Sequence, residues 1–195
     1  MKENKLRLLV YSQSVTFFAS SLIFPFYILF LKNVGSSFSA FGLSYGLFGL
    51  SSALIYLLLG RISGSIENRY LLLINSWGMA SILLAFPHVT SVLQVYIIQI
   101  VLGVFGAFQK HGEKMLLATY TDDVNRSGTI GSYHFWTALF SSFAIISAGF
   151  LADFFTMDFV FYGSSILYFI SGFFLLPKQS RVLTPPKEIM KNFGK

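Results

Sequence analysis

The amino-acid sequence contains six apolar stretches, and each is close to the length that crosses a lipid bilayer. They cover about residues 8–31, 38–60, 70–87, 91–117, 128–152 and 159–176. A transmembrane helix needs roughly 20 apolar residues. Charged residues make up 11% of the chain, whereas a soluble domain carries about a quarter. The pattern predicts an all-α integral membrane protein, with six transmembrane helices in residues 1–176 and a basic cytoplasmic tail over 177–195.

Lysine and arginine predict the orientation of these helices. With the N-terminus inside, Lys32 is the one basic residue of 14 that lies in an outer segment. Inner segments of membrane proteins carry such an excess of positive charge. The first stretch follows Lys2, Lys5 and Arg7 but is too long for a signal-peptide core, so we interpret it as a retained helix. We expect both termini to be cytoplasmic and the protein to lie in the plasma membrane.

The residues that most chemistry requires are scarce. The chain has no cysteine and three histidines, which argues against a thiolate centre, a cysteine nucleophile or a dedicated metal site. No His-Glu-x-x-His motif occurs. The net charge is +6, but the basic residues lie in short segments between apolar runs. This placement indicates membrane topology and not a nucleic-acid-binding patch. We therefore expect no enzymatic activity, no cofactor, no metal and no nucleic-acid partner.

Two predicted helices carry faces of small residues, which let membrane helices approach closely. The second helix has Gly42, Gly46 and Gly49. The fifth has Ala138, Ser141 and Ser142. These faces predict tight packing, either within the chain or as an interface with a second copy.

Two other helices carry polar stripes at membrane depth. Residues three or four apart share a helix face, and polar faces on two helices indicate a shared aqueous cavity. Interhelical hydrogen bonding is the alternative interpretation for Gln13 and Gln99. The predicted cavity residues are Gln13, Thr16, Ser20 and Tyr27 on the first helix, and Gln99, Lys110 and Glu113 on the fourth.

Three loops resemble those of the major facilitator superfamily. The segment SAFGLSYGLFGLSSALIYLLLGRISGSIENRYLLL, residues 39–73, is similar to helix 2 and the loop after it, with Gly60 and Arg69 at signature positions. Gly64 and Ser65 stand where that signature has Asp and Arg. The segment TDDVNRSGTIGSYHF resembles the loop between helices 4 and 5, with Asp122, Arg126 and Gly128. SAGFLADFFTMDFVFYG resembles the turn from helix 5 to helix 6.

The resemblance implies one six-helix half, similar to the N-terminal half, of a twelve-helix facilitator bundle. Aligned with that family, helix 4 continues to about residue 118 and holds Lys110 and Glu113 in its inner half. We then expect Glu113 to approach His134 on helix 5, as a pair able to titrate near neutral pH. We also expect a gating latch in which Arg61 or Arg69 pairs with Asp122 or Asp123 across the inner loops.

The leading functional hypothesis is a half-size facilitator-type transporter of a small-molecule substrate. It would work by alternating access as a parallel homodimer in the membrane lipid, or with a separate six-helix half. A non-transporting remnant or accessory subunit is the alternative, because the loop signature is degraded. A vitamin importer's substrate-binding subunit also has six helices, but the loops argue against it.

Overall fold

The computed structural model is all-helical over the residues that it describes, which are 2–23, 27, 30, 37–62 and 66–176. The α-helices in this part are α1 (Lys2–Ile23), α2 (Phe38–Ile62), α3 (Asn68–Ala85), α4 (Val92–Tyr120), α5 (Arg126–Phe154) and α6 (Met157–Phe173). The first five are long and apolar enough to cross a membrane, and α6 is a shorter apolar helix. The chain is an integral membrane protein. The predicted tail and the expected end of the first helix near residue 31 lie outside the described residues.

Local sequence signals set the ends of the central helices. Pro87 lies in a short 3₁₀ turn, Phe86–His88, that follows α3, because proline lacks the N–H that a continuing helix needs. Ser91 then begins α4 with a capping box: its hydroxyl accepts from the Gln94 backbone N–H, and the Gln94 side chain accepts from the Ser91 backbone. These bonds satisfy two amide groups that a helix start leaves without partners.

Helix α4 is unbroken across Gln109–Lys114, the polar cluster within an otherwise apolar stretch. It runs from Val92 to Tyr120 and ends where the Thr121 N–H bonds the Leu117 carbonyl. At about 1.5 Å per residue it is about 43 Å long. The polar cluster therefore lies within a helix and not in a loop.

The helices pack in the spatial order α2, α4, α3, α6, α1, α5, with a smaller contact between α1 and α4. We call the end of the bundle that holds Lys2, Tyr120 and Arg126 the inner side. Lys2 pairs there with Asp122 at 2.9 Å. The opposite side is the outer side. In this order α2 and α5 stand at the two ends.

Small and polar residues join the helices where backbones come close. Ser52 donates to the Gly103 carbonyl at 2.7 Å between α2 and α4, and a Cβ on Gly103 would collide with α2. Ser165 donates to the Ala80 carbonyl at 2.7 Å, and Ser12 to the Ser171 carbonyl at 3.0 Å. Hydrogen bonds of this kind hold membrane helices together where lipid removes the hydrophobic driving force.

The flanks of α2 and α5 that face away from the bundle are not covered by other described residues. Only 17% of the spanning window of each helix is buried, against 44% for α1. A Cβ added at Gly42, Gly46 or Gly49 would meet nothing within 4 Å. Packing among the described residues therefore does not account for the glycine face of α2.

Candidate functional site

A polar network joins three helices in the inner half of the bundle. Gln109 on α4 donates from one amide nitrogen to Gln13 on α1 at 3.3 Å and to Glu113 at 3.4 Å. The Tyr133 hydroxyl on α5 donates to the other Glu113 oxygen at 2.8 Å. Glu113 is half-buried, whereas Gln13 and Tyr133 are buried. A carboxylate at this depth is uncommon in a membrane helix and marks a functional site by default.

The depth of the network follows from helix geometry. Gln13 is 11 residues from the start of α1, which places it about 16 Å from the inner end. Glu113 and Tyr133 each lie seven residues from the inner ends of their helices, or about 10 Å. The network therefore extends from the inner third of the bundle to its middle.

Two buried polar atoms beside the network have no hydrogen-bond partner among the described residues. They are the Gln13 amide nitrogen and the Thr16 hydroxyl, and both residues are at most 2% exposed. Because these residues are three apart, they lie on one face of α1. A buried polar group without a partner is unfavourable, so this face has capacity to bind a hydrogen-bonding solute or water.

Glu113 interacts with two neighbouring residues of α5. We expected it to approach His134, whose side chain is exposed, and the Tyr133 hydroxyl makes the hydrogen bond. His134 still lies close enough to interact electrostatically with Glu113. The physical reason is rotation: successive residues point about 100° apart on a helix, so Tyr133 faces α4 and His134 does not.

The other predicted cavity residues separate into an outer cluster and an exposed lysine. Gln99 donates to the Tyr27 hydroxyl, which lies 3.4 Å from the Ser44 hydroxyl. Ser20 donates to the Phe17 carbonyl at 3.0 Å. Ser20, Tyr27 and Gln99 line an aromatic-walled cavity of about 200 Å³. Lys110 is exposed and does not join either cluster.

The expected inner latch is not formed by the residues that the structure describes. Asp122 pairs with Lys2 at 2.9 Å, and not with Arg61 or Arg69. Arg69 donates instead to the carbonyls of Leu175 and Leu176, beyond the end of α6. The last carbonyls of a helix lack internal partners, and a nearby cation satisfies them. Gly60, Arg61 and Arg126 are exposed, and the Asp123 side chain lies outside the description.

The residues of the predicted interface lie on open surface. Gly42, Gly46, Gly49, Ala138 and Ser142 are exposed, and Ser141 is half-buried. These positions form the uncovered flanks of α2 and α5, at opposite ends of the helix order.

Sequence reasoning missed three residues of the site: Gln109, Tyr133 and Ser44. A signal existed for Gln109, because it precedes Glu113 by four residues and such pairs face each other on a helix. Tyr133 and Ser44 had no such signal. Their partners are 20 and 17 residues away in the chain, so only tertiary packing brings them together.

Comparison with known proteins agrees with this architecture. The family model of the Major Facilitator Superfamily matches residues 9–193. A Bacillus subtilis (strain 168) protein described as "Uncharacterized MFS-type transporter YitZ" is 66% identical over 160 residues. The aligned region takes in 82% of this chain and 98% of that protein.

Proposed function

This chain belongs to the major facilitator superfamily, and from that premise we propose that it transports a small polar solute by alternating access as a parallel homodimer. Each copy supplies one six-helix half, and the transport path lies between the two halves. The inner side faces the cytoplasm of a cell whose plasma membrane holds the protein. The family membership supports the facilitator type of transport, and the residues described above support the finer points.

The observation that carries the proposal is the placement of the polar network between two uncovered small-residue flanks. Helices α2 and α5 are the least buried of the five longest helices, and their small residues permit close approach of another helix. A two-fold axis between the flanks would bring α2 of one copy against α5 of the other. Gln109 and Glu113, the half-buried members of the network, would then face the shared path from both sides, with the buried Gln13 and Tyr133 behind them.

The Bacillus subtilis relative is also a short protein. The alignment with this chain covers 160 residues and accounts for 98% of that protein. Its length supports a half-size facilitator unit.

Cross-linking tests the homodimer. The chain has no cysteine, so single cysteines enter an unmodified background. Gly46→Cys and Ser141→Cys variants are co-expressed in membranes and oxidised. We expect a disulfide between the two variants, and none when Phe173→Cys replaces either one, because Phe173 is exposed on α6. Monomers alone would refute the homodimer and direct the search to a separate second half.

A second experiment tests alternating access without knowledge of the substrate. Gln109→Cys is placed at the half-buried α4 side of the network and treated with a membrane-impermeant maleimide. We expect labelling in both right-side-out and inside-out vesicles, because the path opens to each side in turn. Labelling from one side only would refute alternating access and favour a non-transporting membrane subunit.

A further inference from the structure

A groove of about 580 Å³ lies away from the polar network, between the inner halves of α1 and α5 and the end of α6. Val10 on α1, Phe140 on α5 and Phe174 beyond α6 contribute apolar walls. Glu3 and Arg7 lie at its inner end. Neither the facilitator-type transport nor the homodimer interface uses this groove.

The length of the groove matches one leaflet of a bilayer. On α1 its lining extends from Glu3 to Val15, which is 12 residues or about 18 Å. Half of a hydrocarbon core is about 15 Å thick. Trp136 also lines the groove and is 45% exposed, so its ring extends the apolar wall on the α5 side. The groove therefore fits the acyl chain of a lipid in the inner leaflet.

The charges at the mouth select among headgroups. Arg7 and Glu3 form an ion pair of 2.8 Å, and their side chains are 66% and 74% exposed. A purely anionic headgroup would be attracted to the Arg7 guanidinium but repelled by the Glu3 carboxylate. A headgroup with one phosphate and one ammonium complements both charges. A primary ammonium also donates hydrogen bonds to the carboxylate, whereas a trimethylammonium has no N–H to donate.

We propose that the groove binds one zwitterionic phospholipid of the ethanolamine type from the inner leaflet. Its phosphate contacts Arg7, its ammonium contacts Glu3, and one acyl chain lies between Val10 and Phe140. The lipid covers the apolar surface that α1 and α5 leave open near their inner ends. This site is independent of transport, and it holds for a monomer or a dimer.

Native mass spectrometry of the full chain tests the proposal. The purified protein is mixed with equal amounts of phosphatidylethanolamine, phosphatidylcholine and phosphatidylglycerol that share the same acyl chains. We expect one phosphatidylethanolamine to be retained about tenfold above each competitor, a ratio that one charge-assisted hydrogen bond supports. Equal retention of all three, preference for phosphatidylglycerol, or no bound lipid would overturn the proposal.

Variants at the mouth locate the site. Arg7→Gln should lose the preference for phosphatidylethanolamine. Glu3→Gln should raise the retention of phosphatidylglycerol, because the carboxylate that repels this anionic headgroup is removed. Lys5→Gln is the matched control: it removes a charge from the same helical turn, but Lys5 lies over the Tyr120 ring at 6.0 Å and outside the groove lining. An equal loss in Lys5→Gln would show general attraction to the basic terminus and overturn the proposal.

A filling variant tests the acyl-chain position. Val10→Trp places a large side chain in the groove and should abolish retention of phosphatidylethanolamine. Gel filtration and circular dichroism identify variants that remain folded. If folded Val10→Trp still retains the lipid, the acyl chain does not lie in the groove and the proposal fails.

Discussion

Tyr133→Phe isolates the hydrogen bond that anchors Glu113. The substitution removes one hydroxyl, which donates to the carboxylate at 2.8 Å, and leaves the ring in a site that is 1% exposed. A hydrogen bond to a charged group contributes about 1.5–3 kcal/mol. We therefore expect a loss of about 2 kcal/mol in the free energy of unfolding. For a chain of this size, that corresponds to a fall of about 4–8 °C in the thermal midpoint.

Thermal unfolding in detergent, followed by the fluorescence of the two tryptophans, measures the change. Tyr11→Phe is the control, because Tyr11 is 57% exposed and its ring contact with Phe174 survives. In a Glu113→Gln background the bond becomes neutral, and Tyr133→Phe should then lower stability by only about 1 kcal/mol. If Tyr133→Phe matches Tyr11→Phe, or has equal effects in both backgrounds, the hydroxyl does not hold a carboxylate and the reasoning is wrong.

Three further predictions concern helix packing and the loops. Gly103→Ala should destabilise the protein by about 1–3 kcal/mol, because its Cβ meets the α2 backbone. Gly46→Ala, on open surface, should leave the thermal midpoint of the monomer unchanged or raise it slightly. Arg69→Gln should accelerate amide hydrogen exchange at Leu175 and Leu176, just beyond α6, because the carbonyls of this turn lose their donor; Arg61→Gln should not. Lys2→Gln should change stability by less than about 1 kcal/mol, even at low salt, because its ion pair is exposed.

The fold class follows from the sequence because bilayer thickness fixes the length of each apolar run. Hydropathy alone would end the fourth helix near Phe108, short of the predicted bound at 117. Gln109, Lys110 and Glu113 lower the hydropathy of a segment that is helical to Tyr120. A long helix tolerates Gln109 and Glu113 because their side chains bond each other and Gln13 on α1, and Lys110 because it is exposed; hydropathy registers neither arrangement.

The sequence predicted the depth of Glu113 in the bundle, but not the rotation of α5 about its own axis. Counting residues from the helix ends placed Glu113 level with the region around His134. The choice between Tyr133 and His134 depends on how α5 is turned against α4, and one residue changes that direction by about 100°. Among the described side chains, the partner of Asp122 also depends on packing: α1 is helical from Lys2, and this lysine lies close enough to pair with Asp122.

Helix α4 connects both flanks of the bundle. Its outer half is fastened to α2 where Ser52 bonds the Gly103 carbonyl, and its inner half is fastened to α5 through Glu113 and Tyr133. A rod about 43 Å long that tilts by roughly 10° about its centre moves its two ends by about 4 Å in opposite directions. Such a tilt would draw α2 and α5 in opposite senses, so a small motion of one helix changes both surfaces on which a partner would rest.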